Sequence, residues 1–334
     1  MSELSTFPTS AGRMIYSFPV QAFPMLVANI YVIDDGDQLI LVDTGSGREE
    51  SNAGLLAGFE ALGEKMGRPV SLADLDLILV THGHVDHFGG LPFVRQFTDA
   101  PIGVHILDRR ILSHYEERVI VAARRLERFL EGAGVSVAHR DDLMQMYLFA
   151  KGVYRSTPVQ FLLDEVTPVA GIEAIHVPGH CPGQVCLRVD DILLTADHVL
   201  SRTTPHQSPE SITMNMGLGH YLDALDKIAG VEGVRLALGG HEEPIEDLAG
   251  RVAEIRKLHE YRLQRLLDIC SGEPLAIREI SREMFGRQHS YHILLALEET
   301  GAHVEYLYQR GELVAANLDE IEQSSNPVIR YRGA

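Results

Sequence analysis

Thr81-His82-Gly83-His84-Val85-Asp86-His87-Phe88-Gly89-Gly90 places three imidazoles and a carboxylate within six positions, directly after the apolar run Leu75-Asp76-Leu77-Ile78-Leu79-Val80. That run is short, rich in branched residues and closed by a glycine-bearing turn, which predicts a buried strand rather than a helix. The polar side chains then sit on a loop at the strand's end. Imidazole and carboxylate are the donors that zinc and its first-row neighbours prefer, and the absence of a thiol from the segment argues against a cysteine-rich structural finger.

Three further segments repeat the pattern of an apolar strand ending in a metal-type donor: Val177-Pro178-Gly179-His180, Leu194-Thr195-Ala196-Asp197 and Leu238-Gly239-Gly240-His241. In a layered α/β fold the strand ends lie along one edge, where residues distant in sequence converge. Seven candidate metal ligands result: His82, His84, Asp86, His87, His180, Asp197 and His241. Asp197 taken alone could begin a turn, and its place between His180 and His241 favours a metal. Asp43, in Asp43-Thr44-Gly45, reads as a turn residue or a brace for a ligand histidine. Cys181 reads as a small hydrophobe rather than a ligand or nucleophile. Gly83, Gly89 and Gly90 are expected to permit a tight backbone path. His198, His206 and His220 are second-rank candidates for substrate contact.

The 334 residues suit one large domain with an appendage, or two domains. Hydrophobic residues at 45% and charged residues at 23% fit a globular protein, and no apolar run reaches the roughly 18 residues of a membrane span. Cys181, Cys186 and Cys270 are too few for a disulfide framework. Met1 to Gly12 lacks a basic-then-apolar leader pattern, so a cytoplasmic location is expected. A net charge of −18 argues against a sequence-independent hold on nucleic acid.

Val27 to Ile33 and Gln38 to Val42 flank Asp34-Asp35-Gly36-Asp37, a hairpin signal. Leu55 to Met66 has helical spacing, and Pro101 to Ile106, Glu173 to Val177, Val185 to Val189, Ile192 to Thr195 and Val234 to Leu238 read as strands. Between Asp108 and Asp164, Ile111, Val119, Val121, Leu126 and Phe129 are interleaved with arginines in a helical rhythm. We expect a helical insertion there, acting as a lid or simply presenting a solvated face. Residues 203–219 read as an irregular loop able to gate substrate. The expected organisation is a catalytic domain over 1–246, with the insertion at 108–164, and a C-terminal domain over 247–334. In the latter, a long helix over Leu248 to Ile269, two further helices and a terminal hairpin predict a compact winged-helix shape. Glu298, Glu299 and Glu305 would give its last long helix a face that DNA repels, so packing or homodimerisation is the expected role.

From Asn29 to His241 the motif series resembles the metallo-β-lactamase superfamily. The resemblance implies a four-layered αβ/βα sandwich with a binuclear site. His82, His84 and His180 would hold one ion and Asp86, His87 and His241 the other, with Asp197 bridging. It implies two divalent metal ions, zinc first and iron or manganese as alternatives. A metal pair brings water toward neutral pKa and polarises the electrophile, and Asp86 would orient the attacking hydroxide. The tail resembles the winged-helix segment of a β-lactamase-like subgroup. The expected function is hydrolysis of an ester, thioester or lactone in a small molecule. The alternatives are a phosphodiesterase or nuclease, and a mononuclear iron persulfide dioxygenase using His82, His180 and Asp197. The stretch around Thr81 resembles the glyoxalase II signature as well, without that family's basic clamp near the C-terminus. Leu200 stands where acyl-homoserine lactonases often carry tyrosine.

Overall fold

The computed structural model describes residues 4–334. Strands β1 (Ser5–Pro8), β2 (Met14–Phe23) and β3 (Leu26–Asp34) run antiparallel, and β4 (Leu39–Val42) returns after the acidic hairpin turn. Helix α1 (Glu49–Met66) leads to β5 (Leu77–Leu79), and two single-turn helices, α2 (Val85–Phe88) and α3 (Leu91–Val94), lead to β6 (Ile102–His105). The helical rhythm beyond Asp108 corresponds to α4 (Ile106–Ser113), α5 (Tyr115–Gly132) and α6 (Val137–Lys151). Then come β7 (Phe161–Leu163), β8 (Glu173–His176), β9 (Val185–Val189), β10 (Ile192–Ala196), α7 (Leu218–Ala229) and β11 (Leu236–Gly239). The tail holds α8 (Leu248–Ile269), β12 (Leu275–Ala276), α9 (Ile277–Phe285), α10 (Tyr291–Gln309), β13 (Leu313–Ala315), α11 (Leu318–Gln323) and β14 (Arg330–Gly333). No helix among the described residues is long and apolar enough to cross a membrane.

The chain divides into two compact units. The first comprises the residues up to Tyr115, Tyr154–Pro205 and Asp226–Arg251; the second comprises Glu116–Val153, His206–Leu225 and Val252–Ala334. In the first unit, β1 to β7 form one sheet in sequential order, and β11-β10-β9-β8 form another. Alternate residues Tyr31 and Ile33, Ile40 and Val42 from one sheet meet Val185, Leu187 and Val189, Ile192 and Leu194 from the other in a single buried cluster. Period-two alternation in strands of both sheets is what two sheets packed face to face require. On the outer face α1 lies against β2, and Gly58 admits the ring of Phe18: a Cβ there would stand 2.2 Å from it. Because β4 to β7 are parallel, β5, β6 and β7 must each be reached by a crossover, and the carboxyl ends of the four share one edge.

In the second unit, α5 and α6 contribute Leu126, Leu130 and Leu143 to a core completed by Leu266 of α8, Ile280 of α9 and Leu294, Leu297 and Val304 of α10. A three-stranded sheet, β12-β14-β13, accompanies the tail helices. One expectation needs correcting here. Glu299 and Glu305 do not form an outward acidic face. Glu299 is buried and accepts hydrogen bonds from Arg262 Nη1 at 2.8 Å and Gln207 N at 2.8 Å. Glu305 accepts from Glu210 N at 2.6 Å and Ser211 N at 3.2 Å. These carboxylates tie down the backbone at Gln207, Glu210 and Ser211, in a segment outside regular helix and strand.

Buried with Glu299 are His259 and His303. His303 Nδ1 donates to Glu299 O at 2.7 Å, leaving its Nε2 to accept from His259 Nδ1 at 3.1 Å. Both oxygens of Glu299 are engaged and a guanidinium stands beside them, which disfavours a cation there, although His259 Nε2 is buried without a hydrogen-bond partner. Burial foremost, and then His303, push His259 down to about 3. The unfolded chain therefore takes a proton near pH 6.5 that the folded one refuses. This stability is intact above pH 6.5 and is lost as pH falls toward 3, at about 1.4 kcal/mol per unit. His259→Gln is expected to flatten that part of the slope of urea stability between pH 7 and 5. An unchanged slope would show that His259 is not the group responsible.

Candidate metal centre

All seven candidate ligands lie in the first unit, where the structure gathers them into two groups sharing one residue. In the first, His82, His84, His180 and Asp197 bring their donor atoms within 4.8 Å of one another; in the second, Asp86, His87, Asp197 and His241 do the same. His82 and His84 are on the loop after β5, and Asp86 and His87 on α2. His180 follows β8, Asp197 follows β10 and His241 follows β11. Asp197 joins the groups: its Oδ2 is 3.9 Å from His82 Nε2, 3.6 Å from His180 Nε2 and 3.4 Å from His241 Nε2, while Oδ1 is 3.4 Å from His87 Nε2.

The opposite nitrogen of three imidazoles is fixed by the protein. Asp43 Oδ2 accepts from His87 Nδ1 at 2.8 Å and from Thr81 Oγ1 at 2.8 Å. With its proton given to Asp43, Thr81 Oγ1 can accept from His82 Nδ1, 3.1 Å away. Asp43 thus orients one histidine in each group, directly and through Thr81. His241 Nδ1 donates to Val27 O at 2.6 Å. In each case Nε2 faces the cluster; the surrounding carboxylates hold a proton on His87 and His241, which a metal would have to displace to use that nitrogen.

A cation fits these residues. His87 Nε2 and Asp197 Oδ1 are buried without a hydrogen-bond partner. Buried polar atoms are seldom left so unless something else satisfies them. The distances of 3.1 Å from His82 Nε2 to His84 Nδ1 and 3.4 Å from His87 Nε2 to Asp197 Oδ1 are close to the edge of a tetrahedron with metal bonds of about 2.1 Å. Burial opposes ionisation of Asp197, but His241 and His87, with hydrogen bonds from His180 and His241, outweigh it and hold its carboxyl well below the usual range. Burial, reinforced by His87, keeps His82 well below an ordinary imidazole, hence neutral and able to ligate. The site is therefore suited to divalent metal.

Several supports have no sequence signature. Asn29 Nδ2 donates to Glu242 O at 2.9 Å and Tyr31 Oη to Gly239 O at 2.6 Å, so β3 fixes the turn carrying His241. Gln184, with its amide oriented to satisfy both donors, accepts from Asp197 N at 3.1 Å and His198 N at 2.6 Å. Cys181 is buried, and its thiol donates to Asp108 Oδ2 at 3.3 Å. His198 is buried, while His206 Nε2 hydrogen-bonds Leu295 O and His220 Nε2 pairs with Glu210 Oε1; none of the three belongs to either metal-type group.

A metallo-β-lactamase family protein from Thermus thermophilus is similar in structure, with a TM-score of 0.75 and 26% identity over 96% of this chain and 98% of its own. The lactamase-like protein aptB of Emericella nidulans is 24% identical over 82% of this chain and 74% of its own length. An atrochrysone carboxyl ACP thioesterase of Aspergillus chevalieri is 24% identical over 79% of this chain, which spans 65% of the thioesterase. The metallo-β-lactamase superfamily pattern matches residues 24–241, from the turn before β3 to the last clustered histidine, and with that match the chain belongs to the metallo-β-lactamase superfamily and is a hydrolase of that fold.

Proposed function

We propose that the chain hydrolyses an acyl thioester, or a related ester or lactone, of a small molecule, using two divalent ions. The reading is carried by Asp197, a single buried carboxylate facing both histidine groups. A shared carboxylate suits two ions about 3.5 to 4 Å apart, whereas a mononuclear oxygenase would leave Asp86, His87 and His241 without work. His82, His84 and His180 with Asp197 would hold one ion, and Asp86, His87 and His241 with Asp197 the other. When bound, the ions supply a water activated near neutral pH and charge to stabilise the developing oxyanion.

Asp86 Oδ2 lies 3.4 Å from His241 Nε2 and 3.8 Å from His87 Nε2. That carboxylate would orient the attacking water, accept its proton and return it to the departing thiol or alcohol as the acyl carbon becomes a carboxylic acid. The thioester preference draws support from the relative named as an acyl-carrier thioesterase. The test is to measure bound metal and then turnover on an acyl thioester, a lactone, a phosphodiester and a persulfide. We expect about two zinc-like ions and oxygen-independent release of thiol. Turnover of the phosphodiester alone, or oxygen consumption with one iron, would replace this reading.

A further inference from the structure

Strand β6 passes into α4 without a loop, which brings the first turn of that helix against two of the ligand-bearing loops. Asp108, on that turn, is fully buried. Its Oδ2 accepts from Gly83 N at 2.7 Å and its Oδ1 from Gly183 N at 2.7 Å, and Cys181 Sγ donates to Oδ2 at 3.3 Å. Gly83 lies between His82 and His84; Cys181 follows His180, and Gly183 closes the same turn. One carboxylate therefore binds the backbone on both sides of the first metal-type group.

We propose that Asp108 is a positioning residue for this group, setting the separation of the His82–His84 loop from the His180 loop. A carboxylate removed from water is costly unless several donors meet it, and here three donors do, all on ligand-bearing loops. Its action differs from that of Asp43. Asp43 fixes imidazole tautomers, directly or through a hydroxyl, and takes the backbone N–H of Thr81 on one ligand-bearing loop, while Asp108 holds the backbone of both loops and so fixes their distance.

The packing around it leaves little slack. A Cβ at Gly83 would stand 2.7 Å from Ile111 Cδ1, and one at Gly183 would stand 2.7 Å from Asp108 Cγ and 2.8 Å from its Oδ1. Ile111 is three residues on from Asp108, so one face of α4 meets both glycines. The start of α4 is tied to the same loop: His105 stacks on His176 with centroids 3.9 Å apart, and His176 Nε2 donates to Pro182 O at 2.8 Å.

This inference rests on the metal reading, and the experiment separates the two. Zinc is titrated against a chromophoric chelator in the full-length wild type, Asp108→Asn, Gly183→Ala and, as a packing control, Leu112→Ala, and the cobalt absorption spectrum is recorded for each. Asp108→Asn replaces an acceptor with an amide N–H facing another donor; Gly183→Ala displaces the carboxylate from the opposite side. We expect both to weaken one of two zinc sites by about 10- to 100-fold, the usual effect of losing a group that orients ligands, and to alter the cobalt spectrum. Leu112→Ala is expected to lower the melting temperature of the metal-free protein with both zinc affinities kept. If Asp108→Asn does not fold, Gly183→Ala decides. Wild-type zinc affinities in both Asp108→Asn and Gly183→Ala, or equal weakening in Leu112→Ala, would overturn the role of Asp108. Failure of the wild type to bind zinc or cobalt would overturn the metal reading first.

Discussion

Asp197→Ala is expected to lower the number of bound divalent ions, from the proposed two to one or none, and to lower kcat/KM on the order of 10³-fold. No other residue belongs to both metal-type groups of this centre. Its removal leaves three histidines on one side and Asp86, His87 and His241 on the other, with no carboxylate between them. It also leaves His82, His84 and His180 without the one carboxylate of their group, so nothing there offsets the charge of a bound cation. Losing one preorganised electrostatic group in a dry site commonly costs 10²- to 10³-fold, and loss of an ion would add to that. At 1.36 kcal/mol per decade, 10³-fold is about 4 kcal/mol of transition-state stabilisation. Metal content by elemental analysis and initial rates on the preferred substrate check the expectation. Wild-type metal content with wild-type turnover in Asp197→Ala would show that this carboxylate joins nothing.

The seven donors were legible in the sequence because each is a metal-type side chain at the end of an apolar strand, and strand ends in an α/β fold share an edge. The strands around them were legible for a related reason: Ile192–Leu194 and Leu77–Leu79 are unbroken apolar runs. β2 was not. It carries Pro19 in mid-strand, normally evidence against a strand, and its first half is buried on both faces, so no alternation shows. The structure explains the exception: β1 pairs β2 only from Met14 to Ser17, so Pro19 lies where β2 has become the sheet's edge.

Asp108, Gln184 and Asn29 were illegible because their partners are backbone groups far along the chain, and no spacing rule links a carboxylate at 108 to an amide N–H at 183. Glu299 and Glu305 show the opposite failure. Composition placed them on a solvated acidic face, but a carboxylate can be buried where it meets N–H groups that regular structure leaves unpaired, as those of residues 207, 210 and 211 do here.

The glycines after His87 also change meaning, and the second large effect follows from them. Gly89 and Gly90 adopt ordinary right-handed helical angles, φ −62 and −79, which any residue could take. Conformational freedom is therefore not why they are glycine. A Cβ on Gly90 would lie 2.1 Å from Thr44 O, and one on Gly89 would lie 2.3 Å from Val85 O and 2.6 Å from Ser46 O. These are backbone oxygens, which cannot swing aside as a flexible side chain can. The segments are also laced together: Thr44 N donates to His87 O at 2.7 Å and Gly90 N to Gly45 O at 3.0 Å. Admitting one methyl at Gly90 would push the 43–45 turn away from α2, stretch these bonds and draw Asp43 off His87. We expect Gly90→Ala to cost about 3 kcal/mol or more, the upper range for overpacking a close-packed interior. Gly272→Ala, where a Cβ would meet nothing within 4 Å, serves as the control and should stay close to wild type. Urea unfolding of both metal-free variants gives the comparison. If Gly90→Ala proved as stable as Gly272→Ala, the paired glycines would have to be explained by something other than the approach of Thr44.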